Sequence, residues 1–171
     1  MQTTNFAVIF VLLTAQFAVL HANRFYSDCS ADNTLIGASV SNCSQVSCVA
    51  AGDTFVNVQI TFQAKRIVRS GKAKLCLSDS QSKSCLREVA DISDICDFID
   101  PGCPLQQGGV YTYKRNFLVP DVSMEGETSY KLYDEECNVL ACIEYKGEIE
   151  SKNKDIPQLL LTDDSYPCGS K

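Results

Sequence analysis

Cys96-Asp-Phe-Ile-Asp100-Pro101-Gly102-Cys103-Pro-Leu-Gln-Gln-Gly108-Gly109-Val-Tyr111-Thr-Tyr113-Lys-Arg-Asn-Phe117-Leu-Val119-Pro120 is the stretch that decides the fold of this chain. Two cysteines bracket a tight Asp-Pro-Gly turn, and a glycine pair then resets the backbone. After it, Tyr111, Tyr113, Phe117 and Val119 fall on every second position. Side chains of a strand alternate between its two sides, so this is a turn feeding a strand with one apolar face. Such a face has to be covered, and the rest of the chain reads as material for a second sheet.

Upstream, Val56, Val58, Ile60 and Phe62 alternate with Asn57, Gln59, Thr61 and Gln63, the pattern of a half-buried antiparallel strand. Leu35 to Val40 predicts an earlier strand. Asn23 to Cys29 reads as a polar entry, and Cys43 and Cys48 enclose a four-residue loop. Lys65 to Lys74 holds another strand with a turn at Ser70-Gly71, and Leu75-Cys76-Leu77 leads into a Ser-rich loop ending at Cys85. Val89, Ile92, Ile95 and Ile99 recur at a spacing of three to four, which predicts a turn or two of helix over 86–99. That segment is either a lid on the core or a loop that dips into a membrane. Downstream, Ser129 to Tyr133 and Val139 to Ile149 predict the last strands, joined by Asp134-Glu135-Glu136 as a solvated hairpin tip. Seven or so short strands with regular turn signals give an all-β class: an immunoglobulin-like antiparallel two-sheet β-sandwich.

Phe6 to Ala22 is nearly all apolar and ends in small Ala22, so residues 1–22 read as a signal peptide removed on secretion. The run is shorter than the roughly 20 residues a membrane-spanning helix needs. Residues 23–150 then form the domain. Residues 151–171, polar apart from Leu159-Leu160-Leu161, form a tail fixed by Cys168. All ten cysteines follow the signal segment, and an even number in a secreted chain argues for a complete disulfide set. Asn42-Cys43-Ser44 is formally a glycosylation sequon at Asn42.

Charge and residue type exclude several functions. The net charge is −6, so phosphate backbones and anionic headgroups repel the protein, which argues against nucleic acid as a partner. His21, the single histidine, leaves with the signal, so no Ser-His-Asp or Cys-His site can form and a zinc site has no imidazole. Cysteines held in bridges supply no thiolate. Asp121 and Glu125 are a pair of carboxylates whose spacing demands no glycosidase chemistry. We therefore read the chain as a non-enzyme that needs no metal and no cofactor.

Asp28-Cys29-Ser30, the C-x4-C loop, Cys96, Cys103-Pro104-Leu105, Gly109, Tyr111-x-Tyr113, Val119-Pro120 and Cys142-Ile143-Glu144 together resemble the ML (lipid-recognition) domain. That family includes the Niemann–Pick type C sterol carrier, the ganglioside activator protein and the mite group-two allergens. The resemblance spans about residues 25 to 150, and its weight lies in the joint spacing of the cysteines with the Cys-Pro-Leu…Gly…Tyr-x-Tyr run. It implies disulfides Cys29-Cys142, Cys43-Cys48 and Cys96-Cys103. Cys76-Cys85 is similar to an extra bridge of the ganglioside activator, and Cys137-Cys168 is the pair that remains under this assignment. It also implies a lipid, sterol or glycolipid held between the sheets.

Apolar burial can supply the affinity, at about 0.8 kcal/mol per CH₂. A hollow of about 500 Å³ forfeits on the order of 12 kcal/mol of packing, which five disulfides at roughly 2–4 kcal/mol each offset. The alternative is that the same residues fill a solid core. The candidate lining is Val56, Val58, Ile60, Phe62, Tyr111, Tyr113, Phe117, Val119, Tyr130, Leu132, Ile143 and Tyr145, with Ile92, Ile95, Phe98 and Ile99 at the mouth. The expected function is a secreted, extracellular carrier or presenter of lipid that makes transient membrane contact. The alternatives are a protein-recognition or venom component that engages a receptor, and a lysosomal activator that lifts lipid out of a membrane for a glycolipid hydrolase.

Overall fold

In the computed structural model the described residues form nine strands in two sheets. The structure describes residues 24–78, 85–91, 93–119, 121, 123–152 and 168, with the side chains of 85–91 left out. The segment expected to be a signal peptide, Ile92 and most of residues 151–171, including Leu159 to Leu161, lie outside the described residues.

The strands are β1 (Tyr26–Asp28), β2 (Leu35–Val40), β3 (Cys48–Ala51), β4 (Phe55–Gln63), β5 (Gly71–Ser78), β6 (Cys85–Asp91), β7 (Val110–Leu118), β8 (Met124–Asp134) and β9 (Val139–Glu150). The larger sheet runs β1-β9-β8-β5-β6, with β3 also paired to β9, and the smaller runs β2-β4-β7. Every pair is antiparallel except β3 with β9, which is parallel over Cys48↔Gly147 to Ala51↔Glu150. β1 and β3 therefore lie end to end along one edge of β9, at Tyr26↔Tyr145 to Asp28↔Ile143 and at 147–150.

Alternation sets the interior. Val56, Val58, Ile60 and Phe62 of β4 are buried, and the register places Ile60 opposite Tyr113 and Val56 opposite Phe117 on β7. Facing them across the sandwich are Tyr130 and Leu132 of β8 with Ile143 and Tyr145 of β9, all buried.

Several local expectations change. The helix expected over 86–99 is instead β6, paired to β5 from Ala73↔Asp91 to Ser78↔Cys85, followed by a four-residue 3-10 turn at Ile95–Phe98. The helix-like spacing of apolar residues is an accident of two elements meeting. A strand supplies its first half, and one tight turn brings Ile95 and Ile99 to the same side. Asp94 caps that turn, its Oδ1 accepting from the Cys96 N–H at 3.0 Å. Lys65 to Ser70 is a connection, not a strand, and it is fastened by the Val68↔Leu105 bridge. The polar entry contributes β1, and the C-x4-C loop ends in β3. The hairpin tip is not solvated throughout: Asp134 is buried, and its carboxylate accepts from the backbone N–H groups of Glu136 and Asn138 at 3.0 and 2.8 Å.

Among the described residues the bridges Cys29-Cys142, Cys43-Cys48, Cys96-Cys103 and Cys137-Cys168 are in place. Cys76 is also disulfide-bonded; the Cys85 side chain expected opposite it is outside the described residues.

Candidate functional site

The two ends of the sandwich are built differently. At the end where β4 finishes and β7 begins, the long connections fold over the interior. Ile95, Ile99, Leu105 and Val68 all point into it and are buried, held by backbone bonds between Val68 and Leu105 and from the Ala64 N–H to the Gly109 carbonyl. Cys96-Cys103 ties the turn, and Gly102 takes φ +91°, a conformation that a side chain would oppose. Phe98 stacks edge-on against Tyr113 at 6.0 Å. Arg115, the charged member of the inward series on β7, lays its guanidinium 3.8 Å from the centre of the Phe98 ring.

At the other end, where β4 starts and β7 finishes, the sheets part around an apolar cleft of about 70 Å³. Val56, Phe117 and Val119 line it from the smaller sheet, and Leu75, Leu77, Thr128, Tyr145 and Ile149 line it from the larger. Cys48, Val49 and Ala50 of β3 close one side. Gly147 belongs to the wall, and a side chain there would collide with Thr128 Oγ1. Its missing Cβ makes room for that hydroxyl. Burial pushes the Tyr145 phenol well above its ordinary value, so it stays neutral and donor-capable. Among the described residues that line it there is no lysine or arginine, and Glu148 is the charged member.

Of the expected lining, Val56, Phe117, Val119 and Tyr145 border this cleft. Val58, Ile60, Phe62, Tyr113, Leu132 and Ile143 are sealed in the packed interior, as is Tyr130 apart from a 4% exposure. Tyr111 sits at the far end, tilted against Phe62 at 6.5 Å, with its hydroxyl accepting from the Gln106 N–H. Of the residues expected at a mouth, Ile92 lies outside the described residues and the other three sit at the end away from this cleft. Ile95 and Ile99 plug the closed end and Phe98 packs beside them, because the connection that carries them folds inward. The interior is thus filled over most of its length, and at roughly 24 cal/mol per Å³ the cleft forfeits only about 2 kcal/mol of packing.

Sequence reasoning missed β3, Leu75, Leu77 and Ile149. Ile149 was legible, since 143, 145, 147 and 149 continue one alternation with a glycine gap. β3 was not, because its parallel pairing leaves no local signal.

Around the cleft, three apolar side chains face solvent. Phe55 is 71% exposed and Leu118 55%, and the two are cross-strand partners. Val46, 74% exposed, stands on the Cys43-Cys48 loop. Asn42 is exposed on the turn that enters that loop. Among the described residues no group of three His, Cys, Asp or Glu side chains is placed to hold a metal ion.

The architecture has solved counterparts. A Niemann-Pick type C2 protein from the Japanese carpenter ant superimposes with a TM-score of 0.61 at 19% identity, covering 73% of this chain and 98% of its own. Chicken MD-1, solved in complex with lipid IVa, superimposes with a TM-score of 0.50 at 14% identity, covering 71% of this chain and 85% of its own. At these identities the likeness is one of fold. No curated protein sequence matches the chain. The family model described as the ML domain matches residues 24–149, which take in every strand but the final residue of β9, and the chain therefore belongs to the ML domain family.

Proposed function

We propose that this is a secreted, non-enzymatic lipid-binding protein, a domain of residues 23–150 that follows a signal segment and takes up a lipid or sterol in the cleft between its sheets. The observation that carries the reading is the cleft itself: an apolar slot lined from both sheets, opening beside exposed Phe55 and Leu118. Exposed apolar side chains around an apolar opening lower the cost of moving a hydrophobic ligand between a lipid surface and the interior. Membership of the ML family and the lipid IVa bound by chicken MD-1 support the same reading. Carriage needs no catalytic group, because each buried CH₂ contributes about 0.8 kcal/mol.

Native mass spectrometry of the protein purified from secreting cells tests this, followed by solvent extraction and analysis of what is released. A stoichiometric lipid is the expected result. A mass equal to the disulfide-bonded chain alone, with no uptake of added fatty acid, sterol or ganglioside, would overturn the reading.

A further inference from the structure

The interior changes character between two successive inward positions of β8. Thr128 lines the cleft. Tyr130, the next residue on the same face, does not. Its ring packs against cleft-lining Phe117 at 6.4 Å on one side and against Tyr113 at 6.1 Å on the other. The Tyr130 and Tyr113 hydroxyls are 2.9 Å apart in a buried hydrogen bond. Tyr113 belongs to the smaller sheet and Tyr130 to the larger, so the pair spans the full thickness of the interior. Behind it Ile60, Leu132 and Ile143 are fully buried.

A molecule entering at the cleft therefore meets a wall of two rings tied to each other and to both sheets. Moving that wall would break a hydrogen bond in a dry interior, where an unmet hydroxyl is costly. Most of the cleft's described lining is aliphatic and aromatic carbon, with the Ser41 and Thr128 hydroxyls, the Tyr145 phenol and the Glu148 carboxylate as its polar members. A slender chain can slide between such walls by small side-chain movements. A fused ring system needs the breadth that the tyrosine pair occupies.

We infer that the Tyr113-Tyr130 pair is the floor of the cleft and sets the longest chain it accepts, so that the ligand class is a single unbranched aliphatic chain held tail-first. The inference rests on the carrier reading above and narrows it from lipids in general to one-chain amphiphiles. Removing the Tyr130 ring deepens the cleft by about two strand residues, roughly 7 Å or about five methylenes.

Displacement of a fluorescent fatty acid by a homologous series of saturated fatty alcohols, with cholesterol as a further competitor, tests the floor. In the wild type, affinity rises with chain length to a limit and then falls, and cholesterol displaces poorly. In Tyr130→Ala the limit moves up by about five carbons. Tyr113→Phe keeps the bulk of the wall but removes the bond that holds it, and moves the limit by less than Tyr130→Ala does. Tyr130→Leu, which preserves apolar packing, serves if the alanine variant does not fold, and it shifts the limit by a smaller amount. An identical limit in wild type and in the folded Tyr130 variant, or cholesterol competing as well as the best alcohol, overturns the floor while leaving carriage intact. A wild type that binds neither the fluorescent acid nor any alcohol overturns the carrier reading, and the floor with it.

Discussion

The closed end and the cleft end of this sandwich are made from the same strands and differ in what covers them. At the closed end the connections of 64–70 and 93–109 turn inward and deliver Val68, Ile95, Ile99 and Leu105 to the interior. Cys96-Cys103 and Cys137-Cys168 tie the segments there. At the cleft end the β7–β8 connection delivers Val119 to the interior, against four side chains at the closed end, while Val46 and Phe55 point outward. Alternation guarantees an apolar interior at both ends. Whether that interior is solid or open is decided by the chain that caps it.

Three measurements would break or sharpen that contrast. The largest effect is expected from one substitution made at both ends. Leu132→Ala, in the sealed interior, removes contacts on every side and costs about 3–5 kcal/mol. Leu77→Ala, on the cleft wall, adds to space that already exists and costs about 2 kcal/mol. Urea denaturation reads both as shifts in midpoint at unchanged slope, and equal shifts would mean that the two ends are packed alike.

A smaller loss is expected from Asp134→Ala at the β8–β9 hairpin of the closed end. The carboxylate accepts two backbone N–H bonds and the Asn138 side-chain amide at 3.0 to 3.1 Å. Truncation strands those donors at about 2–3 kcal/mol. Arg66 also approaches Asp134, at 3.6 Å, but is 43% exposed at its side chain, so Arg66→Ala should cost under about 1 kcal/mol in the same assay. An Arg66 effect as large as that of Asp134 would shift the weight from the hairpin's hydrogen bonds to the ion pair.

The smallest effect is a pH dependence at the cleft end. Tyr145 keeps its proton in the folded protein well beyond its ordinary value of 10.0 because burial disfavours the phenolate. Above that value the unfolded chain loses the proton while the folded one holds it. Folded-state stability is therefore fully present below about pH 10 and falls as pH rises further. Tyr145→Phe removes this part of the alkaline slope, which stability curves taken on either side of pH 10 would show; a slope unchanged by the substitution would place the phenol in contact with water.

Most of the architecture is legible in the residues. Strict alternation in β4, and in Tyr111, Tyr113 and Phe117 of β7 with Val119 just after it, identifies two strands that share one buried face, because period two has a single structural meaning when one face is buried. The ML resemblance of the cysteine and Cys-Pro-Leu…Tyr-x-Tyr spacing agrees with the family model. The helix expected over 86–99 is the instructive failure. A periodicity read across an element boundary averages a strand and a turn, and backbone pairing of β6 to β5 outweighs local spacing.

The candidate site was legible only in part. Which residues face inward follows from the sequence alone, since side-chain direction is a local property of an extended chain. Which of those residues border open space does not. That depends on the depth to which the 93–109 connection plugs one end, on Tyr113 meeting Tyr130 across the sheets, and on Gly147 giving room to Thr128 in the cleft wall. Those are contacts between residues far apart in the chain, and packing, unlike alternation, exists only once the distant pieces have met.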